Sequence, residues 1–110
     1  VVFTSGGTEA LNAAVYADAH ARAEAFGCKV TALPSVGRFE QYGEAVPASY
    51  MNFYIGNAAV IVPTSGSRHD DNALAELAVL FPDHKIVGLP ADAVLTGGGS
   101  FHCSSQQVPL

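Results

Sequence analysis

The chain has 110 residues, of which 49% are hydrophobic, and a formal net charge of −5. That length and apolar content are enough for a small hydrophobic core, and no apolar run approaches the ~18 residues of a membrane span. Its five Lys and Arg residues are scattered, whereas binding to nucleic-acid phosphates requires clustered basic side chains. Nucleic acids and membranes are therefore not expected as partners.

The N-terminal third is predicted to form a strand, a helix and a second strand. Val1 to Thr4 is a β-rich run, and Thr8 can cap a helix that ends near Phe26, ahead of Gly27. Cys28 to Leu33 then returns as a strand and completes a β-α-β unit. Because the chain begins without methionine and within a strand, we expect it to be a fragment of a longer protein.

Residues 35–49 contain turn-forming residues without a clear period, so this segment is predicted to be a surface loop. Two β-rich runs follow, Asn52 to Ile55 and Ala58 to Val62, and Gly56-Asn57 separates them. Gly and Asn tolerate the left-handed backbone angles that two-residue turns require. The pattern therefore predicts an antiparallel hairpin that turns at Gly56-Asn57.

A helix and a third strand are predicted to follow this hairpin. Ser67 and Asp70 have the spacing of a capping box, with Asp70 in place of the usual Glu. The helix is predicted over Asp70 to Phe81 and the returning strand over Lys85 to Leu89. One apolar helical face is expected to be buried, consisting of Leu74, Leu77, Ala78 and Phe81. A parallel, right-handed crossover would give an α/β fold with the order β-β-α-β.

Three consecutive glycines precede the most informative segment of the chain. Ala91 to Leu95 is predicted to form one helical turn, followed by Gly97-Gly98-Gly99 and by a strand over Ser100 to Ser104 that presents Cys103. A thiol after such a turn is accessible to a substrate, whereas a cysteine in an apolar run usually packs in the core. The residues alone leave both a nucleophile and a partly buried packing cysteine open.

The other cysteine and the histidines have structural interpretations. Cys28 opens an apolar strand and is interpreted as a packing thiol. Two widely separated cysteines do not form a disulfide framework, which favours a reducing, cytoplasmic compartment. His102 is expected to point away from Cys103, because neighbours on a strand face opposite sides, and to support the strand. His69, in the cluster at residues 67–71, is interpreted as part of a helix cap.

Two segments resemble the agmatine deiminase family. Residues 97–109 have the form GGG-x-x-HC-x-x-QQ-x-P, which is similar to the C-terminal signature of that family. Residues 48–57, ASYMNFYIGN, together with VIVP at residues 60–63, resemble its ASY-x-NFYI-x-N block. The two segments occur in the family's order, and the resemblance extends from about Val15 to the end of the chain.

The resemblance implies a fold. Agmatine deiminases belong to the guanidino-group-modifying, or pentein, superfamily, whose fold is a closed α/β propeller of ββαβ modules. The chain is therefore expected to be the C-terminal part of such a propeller. On that basis, residues 1–34 end one module, residues 50–89 form a ββαβ module, and residues 97–110 carry the nucleophile.

The resemblance also implies an activity and a set of site residues. Cys103 would attack the guanidinium carbon of agmatine, and ammonia would leave. Water would then convert the thiouronium intermediate to N-carbamoylputrescine, a step of putrescine biosynthesis. No cofactor and no metal are expected. Substrate binding or support of the nucleophile is expected from Gly98, Gly99, His102, Asn52 and Gln106.

One motif of the family is missing from this sequence. The histidine and the acids that hold the substrate come mainly from a motif of the type GDETDGH-x-D, which does not occur here. The chain is therefore expected to carry the nucleophile without its base and to be inactive alone. A small guanidino cation such as agmatine is the expected partner. The resemblance is compatible with a homo-oligomer of the full-length protein.

Alternative functions remain open. Arginine deiminases and dimethylarginine hydrolases share the fold and the thiol, and some proteins with this fold are non-catalytic binding proteins. The string from Phe3 to Ala10 resembles the phosphate-binding loop of pyridoxal-phosphate enzymes of the cysteine-desulfurase type. However, neither Lys29 nor Lys85 lies in the Ser-x-His-Lys context that the Schiff base needs.

Overall fold

The computed structural model describes the backbone of residues 2–4 and 9–108 and the side chains of residues 17–108. These residues form a mixed α/β fold. The predicted cap Thr8 and the glycines of the pyridoxal-phosphate-like string lie outside the described residues. In chain order, the elements are β1 (Val2–Thr4), α1 (Glu9–Ala25), β2 (Thr31–Leu33), β3 (Glu40–Gln41), β4 (Glu44–Ala45), a 3₁₀ helix (Tyr50–Asn52), β5 (Tyr54–Ile55), β6 (Ala59–Thr64), α2 (Asp70–Leu80), β7 (Lys85–Pro90) and α3 (Asp92–Leu95).

The predicted β-α-β unit at the N-terminus is confirmed, since β1 and β2 pair in parallel on either side of α1. The helix ends ahead of Gly27, whose amide donates to the carbonyl of Glu24 over 2.8 Å. The amide of Cys28 donates to the carbonyl of Ala23 over 3.0 Å and completes this C-terminal cap. The prediction of a packed thiol at Cys28 was wrong. Its side chain is exposed, because the strand begins only at Thr31.

The segment predicted as a loop contains a short antiparallel hairpin, β3 and β4. Its two turn residues, Tyr42 and Gly43, have φ angles of 55° and 81°. Both values lie in the left-handed region that a two-residue hairpin turn of this kind requires. Tyrosine is not a usual residue at this position, so the sequence did not indicate a two-residue hairpin turn here. The side-chain amide of Gln41 donates to the carbonyl of Asp92 over 2.9 Å and ties the hairpin to α3.

The second hairpin is confirmed, with its turn one residue later than predicted. β5 pairs with β6 in antiparallel orientation, and β6 pairs with β7 in parallel orientation. The amide of Gly56 donates to the carbonyl of Ala59 over 2.9 Å, so the turn residues are Asn57 and Ala58. The predicted strand also begins too early, because Asn52 belongs to the 3₁₀ helix.

Helix α2 follows β6 and packs on β7, but it is rotated relative to the predicted face. Ala73 and Leu77 are completely buried, whereas Ala78 is exposed, contrary to expectation. Leu74 lies over Gly88 of β7, where an added Cβ would come within 3.0 Å of the leucine Cδ1. The small side chain of Ala73 and the absence of one at Gly88 allow this close approach of helix and sheet.

The hydrophobic core lies between α2, the three-stranded sheet and β2. Phe53 and Phe81 meet edge to face at its periphery, with ring centroids 5.7 Å apart. No helix within residues 9–108 is long and apolar enough to cross a membrane. The buried members of the core are Leu33, Tyr50, Val60, Val62, Ala73 and Leu77.

Candidate active site

Cys103 lies on a hydrogen-bonded turn, and the predicted strand over Ser100 to Ser104 is wrong. The amide of Ser104 donates to the carbonyl of Ser100 over 3.0 Å. The amide and the hydroxyl of Ser105 both donate to the carbonyl of His102, over 3.1 Å and 2.9 Å. Serine side chains that bond to nearby backbone compete with the pairing of a strand. The thiol is exposed on this turn, where a substrate can reach it.

The glycine run connects the end of α3 to the Cys103 turn. Gly98 has a φ of +83°, a backbone angle that side-chain-bearing residues rarely adopt. At Gly99, an added Cβ would lie 2.9 Å from the Cβ of Cys103 and 3.6 Å from its Sγ. The two glycines therefore have separate roles. Gly98 permits the turn, and Gly99 leaves the space that Cys103 occupies.

The side chain of Asn52 contacts Cys103 directly. Its Nδ2 donates to the cysteine Sγ over 3.2 Å, and its Oδ1 accepts the cysteine backbone N–H over 3.1 Å. The carbonyl of Asn52 also accepts the amide of His102 over 3.2 Å. The 3₁₀ helix and the Cys103 turn are therefore joined by three hydrogen bonds. Asn52, Gly99 and Cys103, all predicted site residues, come together here.

Two other predicted support residues have looser relations to the thiol. His102 contacts Asn52 through its backbone, while its side chain is exposed. The expectation that it faces away from Cys103 depended on a strand that does not form. Gln106 is exposed, and its side-chain amide donates to the carbonyl of Gln107 over 3.3 Å. Within residues 17–108, neither side chain is hydrogen-bonded to the thiol.

The thiol has neither a base nor a carboxylate clamp among the described side chains. Its one side-chain hydrogen bond there comes from the neutral amide of Asn52. No group of three or more His, Cys, Asp or Glu side chains in that range could hold a metal ion. His69 accepts a hydrogen bond from Arg68 over 3.1 Å and lines a cleft of about 300 Å³ whose lining does not include Cys103. The described residues therefore present an exposed thiol with one neutral side-chain hydrogen-bond donor.

Asp70 does not form the predicted capping box with Ser67. Its Oδ1 accepts the hydroxyl of Tyr50 over 2.6 Å, and its Oδ2 accepts the amide of Ser65 over 3.3 Å. The hydroxyl of Ser67 instead donates to the carbonyl of Val36 and accepts the amide of His69. The Asp70 carboxylate is therefore bonded to the buried phenol of Tyr50. This contact fixes the 3₁₀ helix, which begins at Tyr50 and ends at Asn52.

Replacing Tyr50 by phenylalanine is expected to lower the free energy of unfolding at pH 7 by about 1.5–3 kcal/mol, the range for a hydrogen bond to a charged group. Burial and the hydrogen bond to Asp70 raise the pKa of Tyr50 to about 12, from 10.0. The folded state therefore holds this proton more tightly than the unfolded state. The resulting stabilisation is complete below pH 10 and is lost as the pH rises towards 12, by at most about 1.4 kcal/mol per unit. Urea unfolding at pH 7 and pH 11 measures both effects.

Tyr42→Phe is the matched control, because the Tyr42 side chain is 91% exposed. It should change the free energy of unfolding by less than about 0.5 kcal/mol at either pH. If the free energy of unfolding of Tyr50→Phe falls between pH 7 and pH 11 as much as that of the unchanged chain, the alkaline loss of stability does not come from Tyr50.

Comparisons with known proteins agree in family and in fold. A sequence profile described as Porphyromonas-type peptidyl-arginine deiminase matches residues 8–109. A candidate agmatine deiminase of Selenomonas ruminantium is 51% identical over 67 residues, which are 61% of this chain and 18% of that protein. The agmatine deiminase of C. jejuni superposes with a TM-score of 0.81 at 26% identity, covering 96% of this chain and 33% of the other.

A second structure of the C. jejuni enzyme is a cysteine-to-serine variant with substrate bound. It superposes with a TM-score of 0.80 at 25% identity, covering 96% of this chain and 31% of the other. The chain thus spans about a fifth of the length of the curated relatives it matches and about a third of these solved structures.

Proposed function

Because the chain belongs to the Porphyromonas-type peptidyl-arginine deiminase family, we propose that it is the nucleophile-bearing part of an agmatine deiminase. The enzyme converts agmatine and water to N-carbamoylputrescine and ammonia. The observation that carries this proposal is the Cys103 thiol, which is exposed on the glycine turn and held by the amide of Asn52. The identity to a candidate agmatine deiminase favours that substrate over other guanidino compounds.

The proposed reaction has two steps. The Cys103 thiolate forms a C–S bond to the guanidinium carbon, and a C–N bond breaks as ammonia leaves with a proton from a general acid. The S-alkylthiouronium that results is then attacked by water while a general base removes the protons of that water, and the C–S bond breaks to return the thiolate. A guanidinium carbon is a weak electrophile, since its charge is shared among three nitrogens, and a thiolate is a strong nucleophile. No cofactor takes part in this scheme.

The side chains around Cys103 receive roles by their contacts. Gly98 and Gly99 allow the turn and the packing that place the thiol, and Asn52 holds it. His102 supports the same contact through its backbone, and Gln106 orders the segment that follows. The C. jejuni relative, solved with substrate bound to a cysteine-to-serine variant, is consistent with a cysteine nucleophile.

The rest of the active site is proposed to lie in other modules of a pentein propeller. Residues 1–34 end one module, residues 50–89 form a ββαβ module, and residues 97–110 carry the nucleophile. The order and pairing of β5, β6, α2 and β7 support the second assignment. The other modules supply the general base and the carboxylates that hold the substrate cation. The longer enzyme, meaning the protein with all of its modules, is expected to be cytoplasmic.

The longer enzyme should release ammonia from agmatine, and the 110-residue chain alone should not. A nucleophile without its base and its substrate clamp lacks general acid–base catalysis and substrate positioning, which each contribute orders of magnitude to the rate. Ammonia release and the formation of N-carbamoylputrescine measure the turnover of both proteins. Arginine and dimethylarginine, tested in parallel, should be poorer substrates.

Two outcomes would contradict this proposal. If the longer enzyme prefers arginine or dimethylarginine, the protein belongs to another branch of the superfamily. Rapid turnover by the 110-residue chain would mean that a described histidine, His69 or His102, is the base. We expect the 110-residue chain to keep its fold, as measured by circular dichroism, and to show no turnover.

A further inference from the structure

A cleft of about 300 Å³ lies between residues 36–39 and residues 65–69, away from the Cys103 segment. The chain has five Lys and Arg residues, and two of them, Arg38 and Arg68, line this cleft. They lie far apart in the sequence, so the fold brings together basic side chains that the sequence leaves scattered. The described residues that line the cleft include no Asp or Glu. This arginine cleft is therefore a basic site on an acidic chain.

The two walls of the arginine cleft are joined to each other. The hydroxyl of Ser67 donates to the carbonyl of Val36 over 3.0 Å, a contact between residues 31 positions apart. The same hydroxyl accepts the amide of His69 over 3.2 Å. On the opposite wall, the hydroxyl of Ser35 accepts the amide of Gly37 over 3.1 Å. Because these hydrogen bonds come from the chain itself, the cleft is formed before any ligand binds, which lowers the entropic cost of binding.

Each guanidinium group in the arginine cleft is oriented by a neighbouring side chain. The Nε of Arg68 donates to the Nε2 of His69 over 3.1 Å, and the Nε of Arg38 pairs with Glu40. Both contacts use Nε alone, and among the described residues the Nη groups of the two arginines have no hydrogen-bond partner. A guanidinium group binds the oxygens of a carboxylate or a phosphate through parallel N–H groups. The Nη groups are thus available for such oxygens.

A buried hydroxyl of the same cleft also lacks a partner. Ser65 lines the arginine cleft, and its Oγ is buried without a hydrogen bond among the described residues. Buried polar groups are normally hydrogen-bonded, so this hydroxyl indicates a partner that those residues do not supply. The neighbouring carboxylate of Asp70 does not line the cleft, and both of its oxygens already accept hydrogen bonds, from Tyr50 and from the Ser65 amide. An oxygen atom bound in the cleft would supply the missing partner.

We propose that the arginine cleft binds a small oxyanion, a carboxylate or a phosphate group, through the Nη groups of Arg68 and Arg38. Arg68 is expected to contribute more, because Glu40 already compensates the charge of Arg38. The ligand is not the guanidino substrate, since a cation would be repelled by two guanidinium groups. The site therefore goes beyond the proposed reaction and does not depend on Cys103 as nucleophile.

Titration of the ¹⁵N-labelled 110-residue chain with inorganic phosphate tests the proposal, and succinate is the carboxylate probe in a parallel titration. Sodium chloride at the same ionic strength distinguishes binding from screening. The backbone amide resonances of Gly37 and Gly66, which line opposite walls of the cleft, should shift and saturate with phosphate or succinate and not with chloride. The probe with the lower dissociation constant identifies the class of anion.

Arg68→Gln should weaken the binding of that anion about tenfold or more, because it removes hydrogen bonds to a charged ligand. Arg68→Lys keeps the charge without the forked donors, so its affinity should lie between those of the unchanged chain and Arg68→Gln. Arg22→Gln is the matched control, since it removes the same charge from an exposed arginine of α1 that pairs with Asp18. The control should bind within about twofold of the unchanged chain.

Three results would overturn the proposal. The first is that neither phosphate nor succinate gives saturable shifts at Gly37 and Gly66. The second is that chloride reproduces the shifts, which would then report ionic strength alone. The third is that Arg68→Gln and Arg22→Gln weaken binding equally, because the effect would then come from the net charge of the chain and not from the arginine cleft.

Discussion

Cys103→Ser in the longer enzyme is expected to abolish the hydrolysis of agmatine, with a loss in kcat of about 10⁴-fold or more, as is typical when a nucleophile is removed. A serine hydroxyl is far less acidic than a thiol, so little of it ionises without a strong base. It is also a poorer leaving group when water must release the product from the covalent intermediate. Steady-state ammonia release over a range of agmatine concentrations measures the loss.

Cys28→Ser is the matched control, since both cysteines are free and exposed. Cys28 lies at the C-terminal cap of α1, where its backbone amide forms the cap and its thiol makes no part of the proposed site. This variant should keep kcat and KM within about twofold of the unchanged enzyme. Comparing the two variants therefore distinguishes the effect of removing the proposed nucleophile from the effect of removing an exposed cysteine elsewhere.

A covalent probe gives an independent measurement of the same assignment. A haloacetamidine combines an amidine cation with an alkylating carbon, so the longer enzyme should direct it to Cys103, and agmatine should slow the labelling. Peptide mass analysis identifies the modified residue. Labelling at Cys28 with equal speed, or full activity in Cys103→Ser, would overturn the assignment of the nucleophile.

The sequence predicted the elements whose signals are local. The helical period identified α2, and the β-rich run at residues 58–62 identified β6, since these residues form continuous regular structure. The end of α1 ahead of Gly27 was likewise predictable from a single residue. Boundaries were less accurate, and the hairpin turned at Asn57 and Ala58 because its hydrogen bonds, not its composition, determine the register.

One error occurred where a distant residue competes for a polar group. Asp70 was expected to cap its own helix, but the buried phenol of Tyr50, 20 residues earlier, takes its carboxylate. The segment at residues 100–104 was expected to be a strand, but Ser104 and Ser105 close local turns. The rotation of α2 also differed from the prediction, because Ala73 and Leu77 are completely buried whereas Ala78 is exposed. The contact of Asp70 with Tyr50 and the rotation of α2 depend on tertiary packing, which spacing along the chain does not determine.

In the candidate site, too, some features could be predicted from local sequence and others depend on contacts between distant residues. Cys103 was singled out from its glycine context and from the resemblance of its segment to a family signature. Asn52 was expected to lie near the site only through its place in a second block of the same family. That its amide contacts the Cys103 sulfur depends on two turns that meet in space, which the sequence order does not reveal.

Gly99→Ala in the longer enzyme should reduce kcat about 10²-fold, the loss that follows when a reacting group is displaced by about 1 Å. The added Cβ would lie 2.9 Å from the Cβ of Cys103, which is closer than real Cβ atoms approach. The contact is with an atom fixed to the backbone, so a change of side-chain rotamer cannot relieve it. Cys103 must therefore move, and its two hydrogen bonds to Asn52 must lengthen. Turnover of agmatine and the alkylation rate of Cys103 measure the displacement.

Gly98→Ala distinguishes this displacement from a general weakening of the turn. An added Cβ at Gly98 meets no atom within 4 Å, but its φ of +83° is strained for alanine. This variant should lower the free energy of unfolding by about 1–2 kcal/mol, while kcat of the folded enzyme stays within a few fold. The neighbouring glycines thus predict opposite profiles, a catalytic loss at Gly99 and a stability loss at Gly98. Equal catalytic losses in the two variants would show that the space beside Cys103 has no special role, because both changes would then act through the turn alone.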